Sequence, residues 1–277
     1  MNSSSRPVVG LALSGGTAKS VAHIGVLSAL DEANIPVDCI AATSGGAIVG
    51  AIYAAGFSVS ELRSVAERLR WKDLARITWP RLGLLNNAGI DRFLTELLGD
   101  LTFDELRIPL AVVATDLLTG EKVVFRKGRV AQAVMISSSI PNVFEPVELD
   151  GTLYTDGGLV EYLPVETVRE FEPRIVIAVN LGHREGRSPR PRHLLHMSMM
   201  VTGIAARQNA RTSETKADIV IRPPTGEFPS FDLMASSRLV QVGYEAAVAR
   251  LPDIRALLDE VEPTWRGPSR KGALGQE

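Results

Sequence analysis

The chain has 277 residues, 45% of them hydrophobic, enough for a sizeable core in one large domain or two small ones. Lys and Arg total 30 against 32 Asp and Glu, and the net charge of −2 argues against a general nucleic-acid binder. Cys39 is the single cysteine, so no internal disulfide can form, and no run approaches the ~18 apolar residues of a spanning helix. The expectation is a cytoplasmic protein that can still touch membranes at their surface.

An apolar run over 8–13 reads as a buried strand that stops at Ser14-Gly15-Gly16. Val21, Ile24, Val26, Leu27 and Leu30 follow at helical spacing, and Asn34-Ile35-Pro36 ends that helix. Residues 37–42 form a second strand, and 47–56 a small-residue helix buried nearly all round. Strand, helix, strand, helix opens an α/β layered fold with a mostly parallel central sheet flanked by helices. Ser60 is expected to cap a polar helix reaching Arg70, and 71–99 to be less regular, with breakers at Trp79-Pro80, Gly83, Asn86-Asn87 and Gly89. Residues 108–115 and 122–125 read as strands joined at Thr119-Gly120, and 130–136 as a helix. Residues 147–149 and 152–154 flank Asp150-Gly151, a hairpin signal. A helix at 165–171 leads to a Val, Ile and Ala-rich strand of parallel type at 174–181. Beyond a Pro, Arg and Gly-rich loop at 182–192 come a long helix at 194–216, a last strand at 219–222 and a last helix at 235–250. One domain over 7–260 is expected, with flexible termini at 1–6 and 263–277.

Ser44 sits on a strand-to-helix turn, the setting of the G-x-S-x-G nucleophile elbow, with Ala42 for the first glycine and Gly46 for the last. The turn is tight, so its flanking side chains must be minimal. The helix beginning at Gly45 points its first amides toward the serine, where they can donate to an oxyanion. The competing reading is an ordinary turn with a serine cap. Gly15-Gly16 lets backbone N–H groups converge on one point, an arrangement that stabilises a developing oxyanion. Its rivals are a phosphate-binding loop ending in Lys19-Ser20, which would need glycines at Leu13 and Ala18, and a glycine turn that only permits close packing. Lys19 reads either as an anion contact or salt bridge, or as a solvated lysine.

Asp156, ahead of Gly157-Gly158, is the candidate base. It must reach Ser44 Oγ within ~3 Å, directly or through one water. Taken alone it fits an Asp-Gly turn as well. Ser44, Asp156 and His183 can be drawn as a triad in hydrolase order, although His183 has no feature beyond following a strand. No Ca²⁺-loop pattern and no clustered Cys/His spacing suggests a metal.

Further blocks accompany these motifs: Ala22-His23-Ile24-Gly25-Val26-Leu27, Ile48-Val49-Gly50-Ala51, Ala114-Thr115-Asp116-Leu117, Ile140-Pro141-Asn142-Val143-Phe144, and Leu159-Val160 with Leu163-Pro164-Val165. With them the chain resembles, from Val8 to about Leu258, the patatin-like phospholipases, lipid acyl hydrolases with a Ser-Asp dyad. The resemblance implies Ser44 as nucleophile and Asp156 as base. It implies an oxyanion hole from the backbone of Gly15, Gly16, Thr17 and Gly45, with Lys19 at the family's basic position. Ala42, Gly46, Gly157 and Gly158 support the motifs, and neither a catalytic histidine nor a cofactor is called for.

Three residues depart from the family pattern: Thr17 and Ser20 stand in place of cradle glycines, and Ala42 in place of the first elbow glycine. A β-branched residue disfavours positive φ, so a cradle that needs it at Thr17 would be bent or partly blocked. Three functions follow as expectations: a serine hydrolase of lipid or other acyl esters, an inactive lipid-binding or anion-binding protein of the same fold, and an acyltransferase using the same dyad. The apolar residues from Trp71 to Leu98, including Trp79, Leu82, Leu84, Ile90 and Phe93 with Arg76 and Arg81 among them, read either as a cap or wall of the acyl site that can also dock on lipid surfaces, or as core packing of a helical insertion. Cys39 reads as a buried small hydrophobe.

Overall fold

Val, Ile, Leu and Ala-rich runs free of charge make strands buried on both faces, the composition a parallel sheet requires. In the computed structural model, which describes residues 9–77, 82–183 and 190–261, two such runs come first: β1 (Val9–Leu13) and β2 (Cys39–Thr43). The expected flexible termini, Trp79, Arg81 and part of the 182–192 loop lie outside the described residues. A separate ribbon pairs β3 (Arg76–Ile77) with β4 (Leu85–Asn86). Then come β5 (Leu110–Asp116), β6 (Lys122–Phe125), β7 (Val147–Leu149), β8 (Thr152–Asp156), β9 (Ile175–Val179) and β10 (Ile219–Ile221). The main sheet runs β10-β9-β1-β2-β5-β8-β7, with β6 also on β5. Every pairing from β10 to β5 is parallel, whereas β6, β7 and β8 pair antiparallel. This is the mostly parallel α/β sheet that the sequence implies.

Successive strand residues face opposite sides and build two cores. Val9, Leu11, Leu13, Ile40, Ala42 and Ile177 join one, under the helices Ala22–Glu32, Gly45–Ala54 and Ser236–Val248. Ala12, Ala41, Val176 and Ala178 join the thinner other, which packs on Val165–Arg169 and, through Ala210, on the helix Leu194–Glu214. Cys39 lies in this second core, where burial pushes its thiol up to about 12. No described helix is long and apolar enough to cross a membrane.

Three local expectations change. The helix Val59–Arg68 is capped by Ser58, not Ser60: Ser58 Oγ accepts from the Glu61 N–H while the Glu61 carboxylate accepts from the Ser58 N–H. The Ser-x-x-Glu spacing satisfies two orphan amides at once, which Ser60 cannot do. Within 71–99, Ala88–Leu98 is a regular helix containing Gly89, where a Cβ would sit 2.6 Å from the Leu74 backbone. That glycine is there for close packing and does not break the helix. A further helix, Leu251–Val261, follows the one expected to be last, and Pro252 falls in its first turn, where its missing N–H is harmless. Leu74, Ile90 and Leu94 belong to the first core, with Trp71, Phe93, Leu97 and Leu98 packed against it, while Leu82 and Leu84 are exposed. Of the side chains packed on the core, Trp71, Leu74, Ile90 and Phe93 also line an apolar cavity that reaches Ser44.

Candidate active site

The pairing on β5 brings the site together. Thr43 at the end of β2 pairs with Val113, and Asp156 at the end of β8 pairs with Ala114, the next residue. β6 takes the opposite edge of β5, so β2 and β8 share one edge and meet tip to tip. Ser44 and Asp156 are the residues at those tips. Ser44 Oγ donates to Asp156 Oδ2 at 2.6 Å, and Asp156 Oδ1 accepts the Gly158 N–H at 2.7 Å. The base turn is held as well: Thr115 Oγ1 donates to the Asp156 carbonyl at 2.8 Å, and Asn209 Nδ2 to the Gly158 carbonyl at 3.0 Å.

Ser44 has φ 55° and ψ −130°, a conformation L side chains rarely adopt. Its surroundings hold it there. The Ser44 N–H donates to Ser137 Oγ at 2.8 Å, and Ser137 Oγ donates to the Val113 carbonyl at 2.6 Å. Thr43 Oγ1 donates to the Glu161 carbonyl at 2.8 Å. A Cβ on Gly45 would strike Ser20, one on Gly46 the Ser14 carbonyl, and one on Gly157 the Val113 carbonyl. Ala42 is tolerated because its methyl lies in the first core beside Gly50.

Asp156 is buried, and loss of hydration raises its carboxyl to about 6 against the opposing bonds from Ser44 and Gly158. Such a value makes it a better proton acceptor than a surface aspartate while leaving it ionised at neutral pH. Ser44 reaches it directly, with no imidazole between them; His183 lines the cavity beside them. The Ser-Asp-His triad is therefore not assembled.

The cradle differs from expectation at Gly15. Its N–H donates to the Tyr162 carbonyl at 3.1 Å and is unavailable to a substrate. What Gly15 supplies is closeness, since a Cβ there would lie 3.3 Å from Ser44 Cβ. Among the described residues, the amides of Gly16, Thr17 and Gly45 have no protein acceptor. Thr17 does adopt positive φ, 51°, and its Oγ1 donates to the Gly16 carbonyl at 2.6 Å. Ser20 packs its buried hydroxyl between Gly16 and Gly45, with no partner among the described residues. With the Gly15 amide tied back, the loop does not form the continuous ring of donors that a phosphate loop needs.

Ser14 and His23, both inside blocks the sequence marks, brace this loop from behind. The Leu181 N–H donates to Ser14 Oγ at 2.9 Å, and His23 Nε2 donates to the Ser14 carbonyl at 2.8 Å. Burial lowers His23 to about 4, so it is a neutral brace. The one available signal for Ser137 was the Ser137-Ser138-Ser139 run after an apolar helix.

Two cavities meet at Thr17, Ser44 and Ile140. The first has an empty volume of about 740 Å³ and an almost wholly apolar wall that includes Ile24, Val49, Leu62, Trp71 and Phe93. The second, about 1310 Å³, is more polar and is lined by Lys19, Asp156, His183, His196 and Arg207. The helix Leu194–Glu214 walls it, a role that periodicity alone does not reveal.

A family model described as patatin-like phospholipase matches residues 11–169. The chain belongs to the patatin-like phospholipase family. It is 37% identical over 185 residues to an uncharacterised NTE family protein of Mycobacterium tuberculosis, covering 66% of this chain and 51% of that protein. It is 25% identical over 268 residues to the lysophospholipase NTE1 of Saccharomyces cerevisiae, covering 86% of this chain and 16% of that one. The chain thus spans about half the length of the mycobacterial relative and a small part of the yeast protein. The crystal structure of VipD from Legionella pneumophila shares the fold, with a TM-score of 0.61 at 16% identity over 92% of this chain and 67% of that chain.

Proposed function

We propose that the protein is a serine acyl hydrolase of lipid esters, with Ser44 as nucleophile and Asp156 as general base. The observation that carries this reading is the 2.6 Å bond from a strained elbow serine to a buried carboxylate, at the junction of an apolar and a polar cavity. The acyl chain occupies the apolar cavity, and the alcohol part of the ester lies in the polar one. Ser44 Oγ attacks the carbonyl carbon as Asp156 takes its proton, and the carbonyl electron pair moves onto oxygen. The amides of Gly16, Thr17 and Gly45 stabilise that oxyanion. Collapse of the intermediate breaks the C–O bond to the alcohol, which leaves with the proton from Asp156. Water then gives a proton to Asp156 and attacks the acyl-serine, and the fatty acid departs as Ser44 regains its proton.

The apolar cavity at Ser44 suits an acyl chain, and the name of the yeast relative suggests an ester that carries one such chain. Lysophosphatidylcholine is the substrate to try first. Fluorophosphonate labelling with mass spectrometry, run beside that assay, tests the reading. The expected adduct lies on Ser44, is absent from Ser44→Ala and forms far more slowly in Asp156→Asn. A folded protein that takes no label and releases no fatty acid would instead be a lipid-binding relative without catalysis.

A further inference from the structure

The helix Leu194–Glu214 has two unlike faces. One walls the polar cavity through His196, Met199, Met200, Gly203, Ala206 and Arg207. The other turns Leu194, Met197, Val201 and Ile204 to solvent at spacings of three and four residues, with Leu194 85% and Ile204 57% exposed. Leu82 and Leu84 are exposed too, and one loop ties their segment to this helix. The N–H groups of Leu84 and Leu85 donate to the Val143 carbonyl at 3.1 and 2.9 Å, and Asn142 Nδ2 donates to Ser198 Oγ at 2.7 Å. Ile140 and Pro141 of that same loop line the cavity. The exposed apolar side chains therefore adjoin the opening to Ser44 and are not scattered singly over the surface.

Charge follows the same segment. From Arg190 to Ser213 the chain holds four arginines, two histidines and no acidic residue, within a protein of net charge −2. Arg190 and Arg192 are exposed just before the helix, and Arg211 is exposed near its end.

We infer that this face docks on an anionic lipid surface. Leu194, Met197, Val201 and Ile204, with Leu82 and Leu84, enter the boundary between headgroups and acyl chains, and Arg190, Arg192 and Arg211 meet the lipid phosphates. The inference rests on reading the Ser44 cavities as a lipid-ester site, which it places beside the source of its substrate. A second copy of the chain fits less well. The apolar stripe ends at Ile204, with Gln208 and Arg211 next along the face. Six exposed apolar side chains in two segments are few against the roughly 20–30 residues a side of a stable protein interface. Two copies would also bring arginines against arginines.

Vesicle flotation tests the idea on the full chain carrying Ser44→Ala, so that the lipid is not consumed. Binding to mixed phosphatidylglycerol and phosphatidylcholine vesicles is expected, weakening with salt and falling about tenfold on phosphatidylcholine alone. Adding Met197→Gln, Val201→Gln and Ile204→Gln together is expected to weaken binding at least about tenfold. With Ser44 intact, those three exposed substitutions should leave turnover of a monomeric short-chain ester within about twofold. Failure of the parent to float, or equal flotation of parent and triple variant, overturns the inference. So does a dimer in sedimentation that the triple variant abolishes, which would give the face to a second copy. Absent ester turnover in every Ser44 chain would instead be a failure of the hydrolase reading, recognisably separate from the vesicle result.

Discussion

β1 and β2 lie side by side in the sheet and end alike, each in a tight loop with one non-glycine residue at positive φ, Thr17 at 51° and Ser44 at 55°. The two loops are held differently. The elbow is braced by short-range contacts to β5 and its neighbours: Ser137 clamps the Ser44 N–H, and Asp156 takes its hydroxyl. The cradle is tied from behind, through Tyr162, His23 and Leu181, so that its front amides stay open. A nucleophile must be fixed in direction, whereas an oxyanion hole must keep donors without partners. On the proposed mechanism the same backbone device serves both, and the hydrogen bonds around it decide which.

The largest break in this comparison is at Asp156. Asp156→Asn removes the proposed base and should lower kcat by about 10⁴-fold or more in a steady-state ester assay. It should also make the protein more stable at neutral pH. The folded carboxyl titrates near 6 while an unfolded aspartate titrates near 3.8, so the contribution of Asp156 to stability is most favourable below the lower value, falls as pH rises to about 6 and is flat above. The expected gain for the asparagine variant is about 2–3 kcal/mol above pH 6, read from denaturant unfolding across pH. A variant that is both inactive and less stable would contradict the buried-base reading.

Wild-type kcat/KM should climb about tenfold per pH unit below 6 and level off above it, since only the ionised Asp156 accepts the Ser44 proton. A plateau reaching well below pH 5 would remove the carboxylate from the rate-limiting proton transfer.

Ser137→Ala sharpens the contrast on the elbow side. It strands the buried Ser44 N–H and Val113 carbonyl, a loss of about 1–3 kcal/mol in unfolding free energy. Turnover should drop about tenfold with little change in KM, because the nucleophile is loosened and the cavities are untouched. The mildest test is Thr17→Gly on the cradle side. Relieving positive φ at a β-branched residue should add about 1 kcal/mol of stability and leave kcat within about threefold. A tenfold rise in kcat would instead show the threonine side chain obstructing the oxyanion site.

Much of this was legible from local pattern. The Val, Ile and Ala runs marked the parallel strands, and Asp150-Gly151, with φ of 51° and 79°, marked the hairpin because the two central residues of that turn need positive φ. The elbow and the Asp-Gly-Gly turn were visible for the same reason: glycine, alanine and serine are what tight turns against neighbouring backbone allow. Misreadings arose where a local cue has two uses. Gly89 looked like a breaker and is a contact point for Leu74; Ser60 looked like a cap although Ser58 stands three residues before Glu61.

The sequence by itself determined an α/β chain with a serine on an elbow, a glycine cradle and an aspartate on a glycine turn, since each depends on residues only a few positions apart. Tertiary structure decided which of these act together. Ser44 and Asp156 are 112 residues apart and meet because β2 and β8 pair with consecutive residues of β5, a register no local pattern specifies. It also decided that Gly15 gives up its amide to Tyr162 while Gly16, Thr17 and Gly45 keep theirs, because a hydrogen-bond acceptor brought from a distant part of the chain is invisible until the chain has folded around it.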